Sequence, residues 1–315
     1  MTVRSHCKLC HCRLCQFVSF RSLTARLAPS YPPVKLSYNM YESKDELPSP
    51  TPLVIAHGLL GHKMNWNSVA KAMQRKLKCK VYTVDLRNHG DSPWSPDMSY
   101  EHMASDLELF ITSEVLPRTP GARKATLVGH SMGGKACSFL ALCQPNIIDR
   151  LIIEDISPLP YPDLPLYQVP QYLKAMYHIK LDGYDSIVWA RKAAEKQLLS
   201  VCEHEATRKF LLTNITSQFG KIRWMPNLEV IYKNLAFLLD FPDLAENQHY
   251  EGPTTLVAGS LSPYVRDEHK PEIRKLFPKV RFQTVQGSGH WVHADKPYEF
   301  MDIILQFSLL PARFL

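Results

Sequence analysis

A serine between glycines occupies a turn that joins a predicted strand to a predicted helix. Residues 129–133 read G-H-S-M-G and match the pattern G-x-S-x-G. An apolar strand over 125–128 leads into this turn, and a helix over 135–142 leads out of it. Such a turn strains the backbone of its serine and exposes the hydroxyl. A glycine-rich turn with an incidental serine would match the same pattern, but this setting predicts that Ser131 is a nucleophile.

A serine hydroxyl reacts slowly at neutral pH, so Ser131 needs a general base. Two late histidines qualify, His290 and His293, in the sequence G-S-G-H-W-V-H of residues 287–293. His290 follows the last predicted strand and a turn of small residues, which lets its loop reach over the carboxyl ends of the strands. We predict His290 as the base and His293 as a structural histidine at the start of the final helix. The other eleven histidines are interpreted as surface or structural groups.

The acid that orients the base is harder to place. The loop after the predicted strand 255–258 is its usual position, but this loop carries no carboxylate at its tip, where Ser262 stands. Asp155 lies just past the carboxyl end of the preceding predicted strand and can point toward a histidine above the sheet. We therefore predict Asp155 as the acid of the triad, assisted by Ser262. The alternative is that Asp155 only caps the following turn, in which case Glu229 and Asp267 are the reserve candidates.

The loop after the first long predicted strand can complete an oxyanion hole. Residues 57–61 read H-G-L-L-G. We expect one donor to be the backbone N–H of Met132, next to the nucleophile, and the other to be the N–H of Leu59. Removing one such donor costs about 3 kcal/mol of transition-state stabilisation. His57 is interpreted as a structural group of this loop.

These residues need a sheet whose strands end at one edge. Short apolar strands alternate with amphipathic helices, which is typical of parallel β-α-β units. The alternation stops after residue 157 and resumes at residue 252, so we predict an α/β core over 34–157 and 252–315 with a mostly helical cap over 158–251. The predicted strands are 34–41, 53–56, 81–84, 125–128, 151–153, 255–258 and 280–285, and the predicted helices are 66–77, 101–115 with Ser99 as N-cap, 135–142 and a last one from 297.

Residues 1–33 differ in composition from the rest of the chain. The first acidic residue is Glu42, and six basic residues precede it. An acid-free leader rich in arginine and serine is typical of a mitochondrial transit peptide, and we predict the mitochondrion, most simply its matrix, as the location. A disordered tail on a cytoplasmic protein is the alternative. The leader accounts for most of the net charge of +7.

The spacing of the cysteines in the leader resembles that of a metal site. Two C-x-x-C pairs nearly abut there, whereas a structural zinc site separates its pairs by a longer loop. We therefore predict no metal site, and the other four cysteines are interpreted as buried thiols of a reducing compartment. The leader cysteines are Cys7, Cys10, Cys12 and Cys15, and the others are Cys79, Cys137, Cys143 and Cys202.

The motifs together resemble the α/β-hydrolase superfamily. They are H-G-L-L-G at 57–61, D-L-R-N-H-G-D-S at 85–92, G-H-S-M-G-G-K at 129–135 and G-H-W at 289–291. With E-D-I-S-P after the fourth predicted core strand, they are most similar to the alpha/beta-hydrolase-domain eleven group and its bacterial esterase relatives. The resemblance covers residue 34 to the carboxyl terminus and is weakest in the cap.

This resemblance implies a mostly parallel sheet with a helical cap, no cofactor, and hydrolysis of lipid-type and simple esters by mitochondrial members. It also implies that bacterial relatives lack the usual acid and use the aspartate matching Asp155. Other descriptions of the family place the acid in the cap, near Glu229. From the loop at 85–92 we expect Asp85 and Arg87 to tie loops together without taking part in the chemistry.

Composition excludes some functions and leaves several enzymatic ones. The sequence has no basic stripe with interleaved aromatic residues, so it does not predict nucleic-acid binding. No apolar run approaches the ~20 residues that a membrane-spanning helix needs. We predict an enzyme that cleaves a small-molecule acyl ester, such as an acylglycerol, through an acyl-enzyme. An acyl-thioester hydrolase and a protein-binding member with residual activity are the alternatives. Apolar cap residues would suit an acyl chain or would only pack the cap: Leu159, Tyr161, Leu164, Leu166, Tyr167, Tyr172, Leu173, Met176 and Tyr177.

Overall fold

The structure is a computed structural model that describes residues 30–44, 51–160 and 168–310. The leader cysteines lie outside the described residues, as does nearly all of the predicted leader. The transit-peptide and metal-site interpretations of that segment therefore stay predictions. The other four cysteines, where described, form no disulfide with one another.

A seven-stranded sheet forms the centre of the described structure. Its strand order is β1-β3-β2-β4-β5-β8-β9. Strand β1 is antiparallel to β3, and every other pair of neighbouring strands is parallel. Parallel order places the carboxyl ends of the strands along one edge, where the loops that follow them meet. The strands run over β1 Tyr38–Tyr41, β2 Leu53–Ala56, β3 Val81–Val84, β4 Ala125–His130, β5 Ile148–Glu154, β6 Ile215–Gln218, β7 Lys221–Trp224, β8 Thr254–Gly259 and β9 Val280–Val285.

Helices cover both faces of the sheet, which confirms the predicted α/β-hydrolase architecture. Helix α1 packs against α11, and α2 packs against α3. Of the helices that the structure describes, none combines the length and apolar character needed to cross a membrane. The helices run over α1 Asn67–Leu77, α2 Tyr100–Phe110, α3 Met132–Cys143, α4 Gln168–His178, α5 Ile187–Leu198, α6 Glu205–Leu212, α7 Leu228–Lys233, α8 Leu235–Leu239, α9 Lys270–Leu276, α10 Val292–Asp295 and α11 Pro297–Leu309.

Alternation along the strands divides the apolar interior into two cores. In β2, Leu53 and Ile55 belong to the core shared with α1 and α11. Val54 and Ala56 belong to the core shared with α2 and α3. Because successive side chains point to opposite faces, a short strand that is apolar throughout serves both cores. This double burial keeps the strand ends, and the loops attached to them, in fixed positions.

The chain between β5 and β8 forms the cap, with α4 to α8 in its described part. It also contains an antiparallel hairpin of β6 and β7, which the sequence analysis did not predict. Among the described residues, the hairpin pairs only with itself and adds no strand to the central sheet. Its turn is Phe219-Gly220, and both residues have positive φ. The alternating sequence around this turn was the missed signal.

Polar contacts fasten the cap to the core. The Asn214 side chain donates to the carbonyl oxygen of Leu60 at 2.7 Å. The buried ammonium of Lys135 on α3 donates to the last carbonyls of α8, at 2.8 Å for Asp240. Burial lowers the pKa of Lys135 to about 7. These contacts bring the cap over the carboxyl edge of the sheet.

Several predicted boundaries differ from the structure, most clearly in the first strand and in the second long helix. The first strand was predicted over 34–41 but begins at Tyr38. Its earlier amides bind side chains, because Val34 N–H donates to Asp106 and Ser37 N–H donates to Ser92. The helix predicted to run to residue 115 is α-helical only to residue 110 and continues as one π-helical turn.

A buried ion pair joins α2 to the loop after β3. Arg87 binds Asp106 through two hydrogen bonds of 2.7 Å, and neither side chain is exposed to more than 1%. Arg87 also donates to the carbonyl oxygens of Pro32 and Asp97. Bidentate pairing compensates two charges that burial would otherwise disfavour. Arg87 therefore ties loops together, as expected from the sequence.

We predict that Asp106→Asn lowers the free energy of unfolding by about 3 kcal/mol, because it leaves the buried Arg87 guanidinium without a counter-charge. Urea denaturation followed by circular dichroism measures this. The matched control is Asp302→Asn, which removes an exposed pair with Lys76 and should cost less than about 1 kcal/mol. Equal losses in the two variants would contradict this account of Arg87.

Candidate active site

Ser131 lies at the sharp turn between β4 and α3. Its φ is 51° and its ψ is −118°, a conformation that non-glycine residues rarely adopt. The turn is tight, since a Cβ on Gly129 would come within 2.4 Å of the Gly133 carbonyl oxygen. The Ser131 N–H donates to the Glu154 carbonyl oxygen at 3.0 Å, which fixes the turn to the neighbouring strand. Ser131 is partly buried, and its backbone has the strained conformation that the motif predicted.

His290 is held by Asp155. The Nδ1 atom of His290 lies 2.7 Å from a carboxylate oxygen of Asp155, whose side chain is completely buried. The Tyr264 ring packs against the imidazole, with centroids 4.1 Å apart. Because Nδ1 faces the carboxylate, Nε2 is the nitrogen left to exchange a proton.

The Asp155 carboxylate has two further donors, one from the last residue of β8 and one from the loop that follows it. Gly259 N–H donates to Oδ1 at 2.9 Å, and the Ser262 hydroxyl donates to the oxygen that also binds His290. The backbone of Asp155 is itself unusual, with φ of 49° and an N–H that donates to Val257 at 2.8 Å. The loop that usually supplies the acid thus supplies hydrogen bonds to an acid on the neighbouring strand.

Ser131 and His290 line the same cavity. Among the described residues, no hydrogen bond is found between the Ser131 hydroxyl and His290. Such bonds are commonly long in an empty site and tighten when substrate binds. The three side chains follow the chain order serine, acid, histidine that this kind of turn requires.

Two histidines cross-link the loops beside Ser131. Leu86 N–H donates to His57 Nε2 at 3.0 Å, and Leu60 N–H donates to His89 Nε2 at 3.1 Å. Burial lowers the pKa of both imidazoles, that of His89 to about 4, which keeps them neutral acceptors. His57 is structural, as expected, whereas the role of His89 was not foreseen. Asp85 joins the same loops by accepting from the N–H and the ammonium of Lys63.

The cross-link leaves the Leu59 amide available next to Ser131. Leu59 and Met132 both line the cavity. Met132 is the first residue of α3, where a helical N–H has no partner within the helix. Leu59 N–H has no acceptor among the described residues. Both residues whose amides the sequence suggested as oxyanion donors therefore border the cavity that Ser131 lines, and their role as donors stays a prediction.

The cavity has a volume of about 270 Å³ and is mostly apolar. Of the cap residues expected to face an acyl chain, Tyr172 lines it, Leu173 and Met176 are buried, and Leu159 is partly buried. Tyr177 is exposed. The remaining four lie outside the described residues: Tyr161, Leu164, Leu166 and Tyr167. Further apolar walls come from α6 and α8: Phe210, Leu211, Leu238 and Leu239.

The reserve acids lie elsewhere. Glu229 is exposed on α7, and its carboxylate binds the ammonium of Lys233 at 2.6 Å, which lowers the pKa of Glu229. Asp267 is exposed and pairs with Lys270. Neither lines the cavity. In this structure Asp155 is the carboxylate in contact with His290.

The comparisons with known proteins agree with this geometry. Residues 51–297 match the family described as the alpha/beta hydrolase fold. The chain belongs to the α/β-hydrolase family. This hydrolase is 42% identical over 275 residues to the mouse protein named sn-1-specific diacylglycerol lipase ABHD11, covering 87% of this chain and 85% of that one. The predicted resemblance is confirmed.

Other relatives extend the range of names. A Saccharomyces cerevisiae protein named a probable alcohol acetyltransferase is 31% identical, with 92% of this chain and 87% of that one covered. A solved structure of a marine microorganism esterase shares 33% identity at a TM-score of 0.78, covering 87% of this chain and 99% of that one. With these relatives and this site, the chain is a serine hydrolase of the esterase and lipase type, as predicted.

We predict that Asp155→Asn lowers kcat for a soluble aryl ester by about 10⁴-fold, because the base loses the carboxylate that orients it. Steady-state kinetics and the rate of Ser131 labelling by a fluorophosphonate measure this loss. Glu229→Gln serves as the control and should retain the rate of the unchanged protein. A large loss in Glu229→Gln with none in Asp155→Asn would move the acid into the cap.

Proposed function

We propose that this chain hydrolyses carboxylic esters through an acyl-enzyme on Ser131. The observation that carries the proposal is the strained serine in an apolar cavity that it shares with a histidine bound to a buried carboxylate. Each part answers a need of acyl transfer: a nucleophile, a base held in one tautomer, and amides for the developing oxyanion.

The reaction follows from these positions. Ser131 Oγ attacks the ester carbonyl carbon and passes its proton to His290 Nε2. Asp155 accepts from Nδ1–H and stabilises the imidazolium, while the amides of Leu59 and Met132 bind the oxyanion. His290 then protonates the departing alcohol, leaving an acyl-enzyme. Water, deprotonated by His290, releases the carboxylic acid and regenerates Ser131.

The apolar cavity supports an acyl or lipid ester as substrate, with acylglycerols as the specific proposal. An apolar wall built partly by the cap can bury an acyl chain, and burial of each methylene is worth about 0.8 kcal/mol. The mouse relative is named for the sn-1 position of diacylglycerol. A thioester would use the same oxyanion and base, so an acyl-thioester hydrolase is the alternative within the same chemistry.

We predict that the protein releases fatty acid from the sn-1 position of a diacylglycerol and that Ser131→Ala lowers this rate by about 10⁶-fold. Product analysis by mass spectrometry measures both rate and position. The matched control is Ser113→Ala, at an exposed serine on the surface, which should leave the rate unchanged.

Matched oxygen and sulfur esters should be compared in the same assay. Faster turnover of the sulfur ester would favour the thioester alternative, and formation of an ethyl ester in added ethanol would show transfer to an alcohol. A folded protein that neither reacts with a fluorophosphonate nor cleaves any ester would contradict the enzymatic proposal and favour a protein-binding role.

We also propose that residues 1–33 direct this hydrolase to mitochondria. Six basic residues precede the first acid at Glu42, which supports the proposal. A fluorescent protein carrying residues 1–33 should colocalise with a matrix marker and lose its leader on import. Substituting Arg13, Arg21 and Arg26 by glutamate should leave the reporter in the cytoplasm. A cytoplasmic reporter with the unchanged leader would contradict the proposal.

A further inference from the structure

Glu154 is a second buried carboxylate, directly before Asp155 in the chain. It is completely buried at the end of β5, and no step of the proposed reaction uses it. Its Oε1 accepts from both the N–H and the Nδ1–H of His293, each at 2.8 Å. The His293 ring also stacks on Trp66, with centroids 4.0 Å apart. Glu154 therefore anchors the chain three residues after the catalytic base.

His130 anchors the same loop at His290 itself. Its Nε2–H donates to the carbonyl oxygen of His290 at 2.9 Å. His130 and Glu154 are paired neighbours on β4 and β5. A ring nitrogen of His130, a carboxylate oxygen of Glu154 and a ring nitrogen of His293 lie within 4.8 Å of one another. The carboxylate already accepts hydrogen bonds from His293, so the cluster holds itself together through direct contacts.

Both halves of the catalytic pair depend on the Glu154 position. The Glu154 backbone oxygen accepts from Ser131 N–H at 3.0 Å, and its side chain holds the loop of His290 through His293. The next residue, Asp155, binds the His290 ring. One dipeptide at the end of one strand thus fixes nucleophile, base and base-bearing loop relative to each other.

The charge on Glu154 bears on the protonated base. The titratable groups that face it are His130 from β4, His293 from α10, His290 from the intervening loop, and Asp155 beside it. Burial raises the pKa of Glu154 to about 7 and lowers those of His130 and His293 to about 3. Neutral imidazoles thus surround a carboxyl group that gains its negative charge as the pH rises through 7.

We propose that Glu154 is a positioning residue for the hydrolysis, which holds the His290 loop through His293 and, as a carboxylate, favours the imidazolium that forms on His290. The inference rests on the proposed function of Ser131 and His290. A negative charge placed there is worth more in the transition state than in the ground state, because His290 is charged only after it takes the serine proton.

The test is Glu154→Gln, which removes the charge while its amide oxygen, in place of Oε1, keeps the two hydrogen bonds that His293 makes to that atom. Only the 3.0 Å contact of Nδ1 with Oε2 is lost, because the amide nitrogen replaces that oxygen. On a soluble aryl ester we expect kcat to fall about 10-fold with KM nearly unchanged. In the unchanged protein, protonation of Glu154 should add to the loss of activity as the pH falls through about 7, so that the acid limb of log kcat/KM is steeper than slope one there. In the variant the slope should fall to one. Glu229→Gln, at an exposed glutamate, is the control and should leave the profile unchanged.

A second variant decides the question if Glu154→Gln does not fold. His293→Phe keeps a ring against Trp66 but removes the Nδ1–H donor to the carboxylate. Loss of this hydrogen bond should raise the pKa of Glu154 further and move the acid limb up by about one pH unit. Rapid fluorophosphonate labelling of Ser131 in the unchanged protein checks the proposed function separately. An acid limb of slope one in that protein, or a profile that neither variant alters, would overturn the proposal for Glu154.

Discussion

The buried charge of Asp155 is the constraint on which the site depends. A carboxylate from which water is excluded is tolerated only where donors replace its hydration. The protein supplies them from the Gly259 amide, the Ser262 hydroxyl and the His290 ring. Those donors come from the last residue of β8, the loop after β8 and the loop after β9, so the charge holds the carboxyl edge of three adjacent strands together. The same contacts therefore stabilise the charge of Asp155 and orient the base.

The loops on the other side of Ser131 are held by neutral groups. His57 and His89 accept backbone hydrogen bonds from each other's loops, and desolvation keeps them uncharged. One of these bonds occupies the Leu60 amide, and the neighbouring Leu59 lines the cavity beside Ser131. On one side of the nucleophile the loops are therefore organised around the buried charge of Asp155. On the other side they are organised by the neutral imidazoles of His57 and His89.

Much of this arrangement could be predicted from sequence because local signals carried it. The turn around Ser131 and the candidate acid at Asp155 each follow a short apolar strand. Such strands are a strong signal in a sequence, so the strand ends could be located as well. The paired arrangement of His57 with His89 and that of Glu154 with His293 could not be predicted, because both are contacts between segments distant in the chain. The hairpin β6–β7 was missed since its turn, Phe219-Gly220, lacks the asparagine or aspartate that usually marks such turns.

The assignment of helix ends was less accurate for a physical reason. Helix α3 begins at Met132, directly after the strained serine, whereas glycines at its start suggested a later beginning. The first strand was shortened because Asp106 and Ser92 accept the amides that a sheet neighbour would have taken. At the first strand, tertiary contacts outweighed local preference.

The position of the cap has a consequence for how such enzymes diversify. The cap leaves the core just after Asp155 and returns at β8, and both of these points are pinned by the Asp155–Val257 hydrogen bond and the pairing of β5 with β8. A cap of different length or shape can therefore be exchanged between fixed attachment points without moving the acid. Changes in the cap, natural or engineered, can therefore alter which molecules enter the cavity while the serine, the acid and the histidine keep their relative positions.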